Sequence, residues 1–213
     1  MNDKVDPRMR LPAEDLAAIT RHGIVRDFRA RTMLVTEGEE TNALYIILEG
    51  RLRAFVADAN GREVVLSVMG PGEYFGEIAY DEGPRSASVV TLEPCKLLVV
   101  PQAEFADFVE KNPAFATHFI HKLIGHIRAL TQNVRSLALM DAYGRVARLL
   151  LEAAITKDGE QFVPEKLTQA DIASRVGCSR EMVSRIFKDL VQGRYISVQP
   201  DRIVIHRKPP AHW

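Results

Sequence analysis

Two stretches of this chain bring together residue types that can do chemistry. In the first, Gly72-Glu-Tyr-Phe-Gly-Glu-Ile-Ala79 is followed closely by Pro84-Arg-Ser-Ala87. It offers a glycine-bounded turn, a carboxylate at Glu77, a cation at Arg85 and a hydroxyl at Ser86. A turn with free backbone N–H groups beside an arginine suits an anionic phosphate. An ionised carboxylate can only accept hydrogen bonds, so Glu77 suits a ribose hydroxyl. The plainer reading of the same residues is a surface ion pair in a loop, and the pattern is not a Walker phosphate loop. In the second stretch, Val183, Ile186, Phe187 and Leu190 recur at helical spacing and form one apolar face. Ser179, Arg180, Glu181, Ser184, Arg185 and Lys188 are left on the other. Arginine can grip guanine O6 and N7 with two bonds, and glutamate can accept from cytosine N4. Ser179 stands at the start of the helix, where a hydroxyl and backbone N–H groups suit a phosphate. The plainer reading here is the solvated face of an amphipathic helix.

Both stretches need elements to hold them. Within residues 31–100, short apolar runs recur between turn signals: Ala43–Leu48, Arg51–Val56, Glu63–Met69, Ser88–Leu92 and Lys96–Val100. Gly70-Pro71-Gly72 and Glu93-Pro94 supply breaks, and strands this short and frequent predict an antiparallel barrel or jelly roll. From Pro113 to Met140 the period changes. Ile120, Leu123, Ile127, Leu130, Val134 and Leu137 form a narrow heptad-like seam, which predicts a long helix pairing with a second copy of itself. The alternative is a helix packed on its own domain. Asp141 can cap a helix through Val146, Leu149, Leu150 and Leu151 that breaks at Lys157-Asp-Gly159. Thr168-Gln-Ala-Asp171 has the form of a capping box and opens a short helix to Val176. Gly177 then turns the chain into the helix from Ser179 to about Val191. Tyr195–Val198 and Arg202–Ile205 flank a turn and read as a hairpin. Helix, tight turn, helix and hairpin outline a winged helix-turn-helix.

Composition narrows the classes. With 213 residues, 46% hydrophobic and 26% charged, the chain reads as one large or two small globular domains. The longest apolar run, Ala43–Leu48, falls far short of the roughly 20 residues of a membrane span. The charged N-terminus has no secretory h-region, and two distant cysteines, Cys95 and Cys178, make no disulfide framework, so a reduced cytoplasm is expected. Net charge is zero. From Asp141 onward there are 12 Lys+Arg against 9 Asp+Glu, a mild excess that permits a nucleic-acid-binding C-terminal module. His118, His121 and His126 have no cysteine or carboxylate at ligand spacing, so no metal is expected. No Ser/His/Asp set or carboxylate pair stands out, so the chain does not read as an enzyme.

Val176-Gly-Cys-Ser-Arg-Glu-Met-Val-Ser-Arg-Ile-Phe187 resembles the recognition segment of the Crp/Fnr family of bacterial transcription regulators, with the string closest to the catabolite-activator branch. Gly-Glu-x-Phe-Gly-Glu with a following Arg-Ser resembles the phosphate-binding cassette of cyclic-nucleotide-binding β-rolls. The likeness spans roughly residues 14 to 206. It implies an α+β chain with a cyclic-nucleotide-binding β-roll (1–112), a dimerisation helix (113–140) and a winged helix-turn-helix (141–213). In the cassette it implies that Glu77 holds the ribose 2′-hydroxyl and that Arg85 and Ser86 hold the cyclic phosphate, with Gly76 and Ile78 alongside. In the DNA-binding module it implies that Arg180, Glu181 and Arg185 read a TGTGA half-site. Ser179, Ser184, Lys188, Thr168 and Gln169 complete the expected DNA-facing set. The implied protein is a cytoplasmic homodimer that binds double-stranded DNA and no membrane, with RNA polymerase as protein partner. Its implied effector is cAMP, with no metal or iron–sulfur cluster. One position departs from the branch. Where it carries Thr-Ser toward adenine, this chain has Leu130-Thr131. Regulation by cGMP or c-di-GMP, regulation without a ligand, and a cyclic-nucleotide-binding regulatory subunit of an enzyme are the alternatives.

Overall fold

The computed structural model describes residues 10–40, 42–77, 83–164 and 167–210. The chain divides into two compact units, one ending at Ala129 and the other containing everything from Leu130 onward, together with Ala59–Val64. Each is described by itself.

In the first unit, helix α1 (Ala13–Ile19) precedes eight strands, the fifth of which belongs to it from Val65 onward. These are β1 (Ile24–Phe28), β2 (Met33–Val35), β3 (Ala43–Glu49), β4 (Leu52–Ala57), β5 (Glu63–Met69), β6 (Tyr74–Phe75), β7 (Ser88–Thr91) and β8 (Cys95–Pro101). Helix α2 (Gln102–Lys111) and the first part of α3 (Pro113–Leu139) follow. The strands form two four-stranded sheets, ordered β1-β8-β3-β6 and β2-β7-β4-β5. The pairs β1–β8, β8–β3, β3–β6, β2–β7 and β7–β4 are antiparallel.

The period of two along β3 and β8 explains the layering. Leu44, Ile46, Leu98 and Val100 join Ile19, Phe105, Phe108, Phe115 and Phe119 in one cluster under the helices. Ile47, Cys95 and Leu97 turn the other way, into a cluster with Val35, Leu52, Met69, Phe75 and Val89 between the sheets. The first sheet is thus covered on both faces, and β3 and β8 read as continuous apolar runs rather than alternating ones. Each fully buried Leu, Ile or Phe contributes about 1.5–3 kcal/mol by leaving water. The sequence pattern placed the sheet region between residues 31 and 100. The structure extends it back to β1, an edge strand whose Ile24 and Val25 stay exposed and so give no alternation to read.

Helix α3 runs for 27 residues through Gly125 without a break. Ile120, Ile127, Leu130, Val134 and Leu137 are exposed along it, as the seam predicts. Leu123 is not on that stripe. It packs against the first unit's core, and Ile124 is exposed in its place.

In the second unit, α4 (Ala142–Ala153), β9 (Ile155–Lys157), β10 (Glu160–Val163), α5 (Gln169–Val176), α6 (Arg180–Gln192), β11 (Ile196–Val198) and β12 (Ile203–Ile205) follow the end of α3. Asp141 caps α4 by accepting from Gly144 N at 2.7 Å. The capping box of α5 is formed from both sides by Thr168 and Asp171. Helix α4 ends at Ala153, before the expected break, and Lys157-Asp-Gly159 does not stop it. Asp158 (φ 52°) and Gly159 (φ 79°) form the turn of a β9–β10 hairpin, in keeping with the preference of tight hairpins for Asp-Gly. That hairpin joins the expected C-terminal one in a sheet ordered β11-β12-β10-β9. Its strands are too short to show a period. Among the described residues no helix is long and apolar enough to cross a membrane.

Candidate effector and nucleic-acid sites

The first site is built on the turn that leaves β6. Gly76 has φ +92°, a region open to glycine and strained for other residues. Arg85 lies against it and is only 5% exposed. Its Nη2 donates to the Ala43 carbonyl at 2.7 Å, and its guanidinium carbon is 5.9 Å from the Tyr45 ring centroid. The backbone of Arg85 is fixed too: its N–H donates to Glu39 O at 3.0 Å, and its carbonyl accepts from Gly38 N at 2.8 Å. Ser86 is next in sequence and exposed. Ile78 lies outside the described residues.

Glu77 is nearly buried, with side-chain exposure of 10%. Its Oε1 is 3.7 Å from Lys122 Nζ and 3.3 Å from His126 Nδ1. Burial by itself would raise its pKa. The Lys122 charge and the His126 hydrogen bond outweigh that and hold the carboxyl at about 2. Lys122 is pulled the other way: burial lowers its pKa to about 8 against the attraction of Glu77 and Glu73. Sequence reasoning missed Lys122 and placed His126 only among histidines without metal partners. The signal for Lys122 was its spacing after Phe115 and Phe119, which puts it on the buried face of α3.

Gly76, Glu77 and Arg85 are therefore brought together, with the exposed Ser86 beside them. The arrangement offers a charged fork and an ionised acceptor, which suit a phosphate and a hydroxyl of one ligand. Leu130 and Thr131 are exposed on α3, in the unit from residue 130 onward.

The second site is the outward face of α6. Val183, Ile186, Phe187 and Leu190 are buried, and Arg180, Glu181, Ser184, Arg185 and Lys188 are exposed. Ser179 caps the helix by accepting from Met182 N at 3.1 Å. The backbone N–H at Glu181 and the Ser179 hydroxyl hold the Glu181 carboxyl below its ordinary pKa, so it stays an acceptor. The turn between α5 and α6 closes on Gly177, left-handed at φ 66°, and Cys178 N donates to Ala173 O at 3.1 Å. Arg145 of α4 braces this turn from behind. Its Nε donates to the Val176 carbonyl at 2.7 Å and its Nη1 to the Met140 carbonyl at 2.8 Å. Of the expected flanking contacts, Thr168 spends its hydroxyl on the α5 cap, 2.6 Å from Asp171 Oδ2, and Gln169 is half-buried. Among the described residues no group of three or more His, Cys, Asp or Glu side chains could hold a metal.

Comparison with known proteins matches both halves. Residues 25–112 match the cyclic nucleotide-binding domain, and residues 144–209 match the Crp-like helix-turn-helix domain. The cAMP-activated global transcriptional regulator CRP of Pasteurella multocida is 31% identical over 193 residues, 87% of this chain and 91% of that protein. The CRP-like cAMP-activated global transcriptional regulator of Mycobacterium tuberculosis is 30% identical over 195 residues, 89% of this chain and 87% of that one. Among solved structures, the c-di-GMP-responsive global regulator CLP of Xanthomonas campestris shares the fold, with a TM-score of 0.81 at 21% identity, over 91% of this chain and 99% of that chain. These relatives are regulators rather than enzymes, and with both domain matches in the same order the chain belongs to the Crp/Fnr family of DNA-binding transcription regulators.

Proposed function

We propose that the protein is a cytoplasmic homodimeric regulator that binds cAMP in the β-roll and, so loaded, reads a palindrome close to TGTGA-N6-TCACA. The observation that carries this is that one chain holds both a built anion cradle, Arg85 backed by Ala43 and Gly76 beside the ionised Glu77, and an outward helix face with Arg180, Glu181 and Arg185 exposed. We assign effector binding to residues 1–112, dimerisation to 113–140 and DNA binding to 141–213. In the cradle Arg85 and Ser86 take the cyclic phosphate and Glu77 the ribose hydroxyl, with Gly76 and Ile78 supplying backbone. Thr131, beside Leu130, is the remaining hydroxyl for the base. On DNA, Arg180, Glu181 and Arg185 read base edges, while Ser179, Ser184, Lys188, Thr168 and Gln169 position the module on phosphates.

The exposed stripe of α3 supports the dimer. Ile127, Leu130, Val134 and Leu137 are each more than half exposed, an arrangement that a second copy of the helix would cover. A two-fold dimer presents two recognition helices about 34 Å apart, one turn of DNA. The effector acts by population shift: it binds the DNA-competent arrangement more tightly and so favours it. RNA polymerase is the partner through which such a DNA complex would act.

The test is calorimetric titration with cAMP, cGMP and c-di-GMP, followed by fluorescence anisotropy on a labelled TGTGA palindrome. Saturable cAMP binding near one site per subunit, with DNA affinity that rises on adding it, is expected. Tighter binding of another nucleotide would reassign the effector. Equal DNA affinity without any nucleotide would remove effector control.

A further inference from the structure

Lys122 has no part in the scheme above. It is 1% exposed, on the face of α3 that also buries Phe115 and Phe119, and it lies against Tyr74. Its Nζ donates to the carbonyl oxygen of Tyr74 and sits 3.3 Å from the centroid of that residue's ring. Its only carboxylate within ion-pair reach among the described residues is Glu77, at 3.7 Å. Tyr74 begins β6, the two-residue strand that runs directly into Gly76 and Glu77. One ammonium therefore touches both the strand that delivers the turn and the carboxylate that the turn presents.

A buried ion pair of this kind is a poor device for stability. Desolvating both charges costs several kcal/mol each, and an apolar side chain of similar volume would usually do as well or better. The Tyr74 ring against the ammonium would give a methionine there an apolar neighbour. What a methionine would not supply is a positive charge beneath Glu77. A nearly buried carboxyl without a cation takes up a proton, and then one of its oxygens becomes a donor. Other charged or titratable groups around Glu77 are His126 from α3, Arg85 from the segment after the turn and the Tyr74 phenol from β6, while Glu73 faces Lys122. His126 is 36% exposed, and its charge depends on protonation. Lys122 is the buried cation that α3 contributes.

We propose that Lys122 is a positioning residue for effector recognition: from beneath the turn it keeps Glu77 ionised and aimed as the acceptor for a ligand hydroxyl. This rests on the reading of Glu77 as the group that meets a ribose 2′-hydroxyl. It places part of the specificity for a ribonucleotide on α3, outside the cassette sequence.

The experiment compares the unmodified protein with Lys122→Met. Carbon-13 NMR of labelled glutamate carboxyls follows the titration of Glu77, assigned through Glu77→Gln. Calorimetry measures affinity for cAMP and for 2′-deoxy-cAMP. In the unmodified protein Glu77 is expected to stay ionised well below pH 4, and the ribose ligand to bind about tenfold or more tightly than the deoxy analogue, the worth of a hydrogen bond to a charged group. In Lys122→Met, Glu77 should titrate at higher pH and the preference should fall towards unity, while a cooperative melt shows the fold retained. A lost preference is the sign of a positioning role, because a merely structural residue would lower affinity for both ligands alike. A Glu77 that titrates at the ordinary value in the unmodified protein, or a preference unchanged in Lys122→Met, would overturn the proposal. If Lys122→Met does not fold, the titration of the unmodified protein decides. If neither protein binds a cyclic nucleotide, the effector reading fails by itself. The Glu77 titration in the two proteins then decides whether Lys122 holds that charge.

Discussion

Gly76 and Arg85 fit each other without room for a methyl group. A Cβ built on Gly76 would lie 2.6 Å from Arg85 Nη1 and 2.7 Å from the Ala43 carbonyl that Arg85 grips. The left-handed backbone at Gly76 and the seat of the guanidinium are thus one constraint. Gly38 provides the control: its φ is +82°, but nothing lies within 4 Å of its Cβ position. Gly38→Ala should cost only the backbone strain, about 1–2 kcal/mol. Gly76→Ala should cost more than that and also displace Arg85, so nucleotide affinity falls at least tenfold. Urea denaturation and calorimetry of the two variants check this, and equal behaviour would refute the packing argument.

Glu77 gives a pH dependence with a definite sign. Its carboxyl is held at about 2 when folded, against 4.5 as the ordinary value. A depressed carboxylate stabilises the fold fully above the unfolded value. That contribution shrinks as pH falls below it and is gone once the folded value is passed. It is on the order of 3 kcal/mol by linkage. The melting temperature of the protein relative to that of Glu77→Gln should therefore be highest between about pH 5 and pH 7, where Glu77 is ionised and Lys122 still charged, and should fall steadily as pH drops toward 2. A difference that rises on acidification would reverse the assignment of Lys122 and His126 as the groups that hold the charge.

Much of this architecture was legible because the determining interactions are local. Thr168 and Asp171 are three residues apart and close a capping box, and Gly177 ends α5 in the left-handed conformation that favours glycine. The alternation of Val183, Ile186, Phe187 and Leu190 against the charged residues of α6 follows directly from helical period. What stayed hidden depends on tertiary partners. β9 and β10 are three and four residues long, and only their pairing identifies them as strands. Leu123 fits the exposed seam by spacing, yet the β-roll core captures it. In the candidate effector site the sequence motif carried Glu77 and Arg85. Lys122, 45 positions beyond Glu77, shares only a helical spacing with Phe115 and Phe119, and a lone lysine in an amphipathic helix is ordinarily solvated.

The stripe on α3 makes a prediction about assembly. Ile127 is 62% exposed and Val134 65%, at the spacing of one heptad. A glutamate at each position would place unpaired carboxylates in any apolar seam formed there, at a cost of several kcal/mol. Ile127→Glu/Val134→Glu should sediment as a monomer at concentrations where the unmodified protein is a dimer. Each chain should still melt cooperatively, since both side chains are more than half exposed. An unmodified protein that sediments as a monomer would remove the proposed dimer, and a double variant that stays dimeric would move its interface elsewhere.

Arg180 and Arg185 stand on the exposed face of α6 and are expected to act through base edges, whereas Lys188 on the same helix is expected to act through phosphate. The two kinds of contact leave different signatures. Losing a bidentate arginine–guanine contact costs about 1–3 kcal/mol on the matched site and much less on a site already mutated at that guanine. Arg180→Ala and Arg185→Ala should each lose discrimination at one base pair of the half-site, a different one for each. Lys188→Ala should weaken all sequences about equally and reduce the salt slope of log Kd by about one unit. Anisotropy titrations over a set of single-base variants of the palindrome at two salt concentrations separate these outcomes. Uniform losses across that set for the arginine variants would reassign both residues to the DNA backbone. The exposed Glu181, whose carboxyl is held ionised by Ser179 and the local backbone, would then be the remaining candidate reader of a base on this helix.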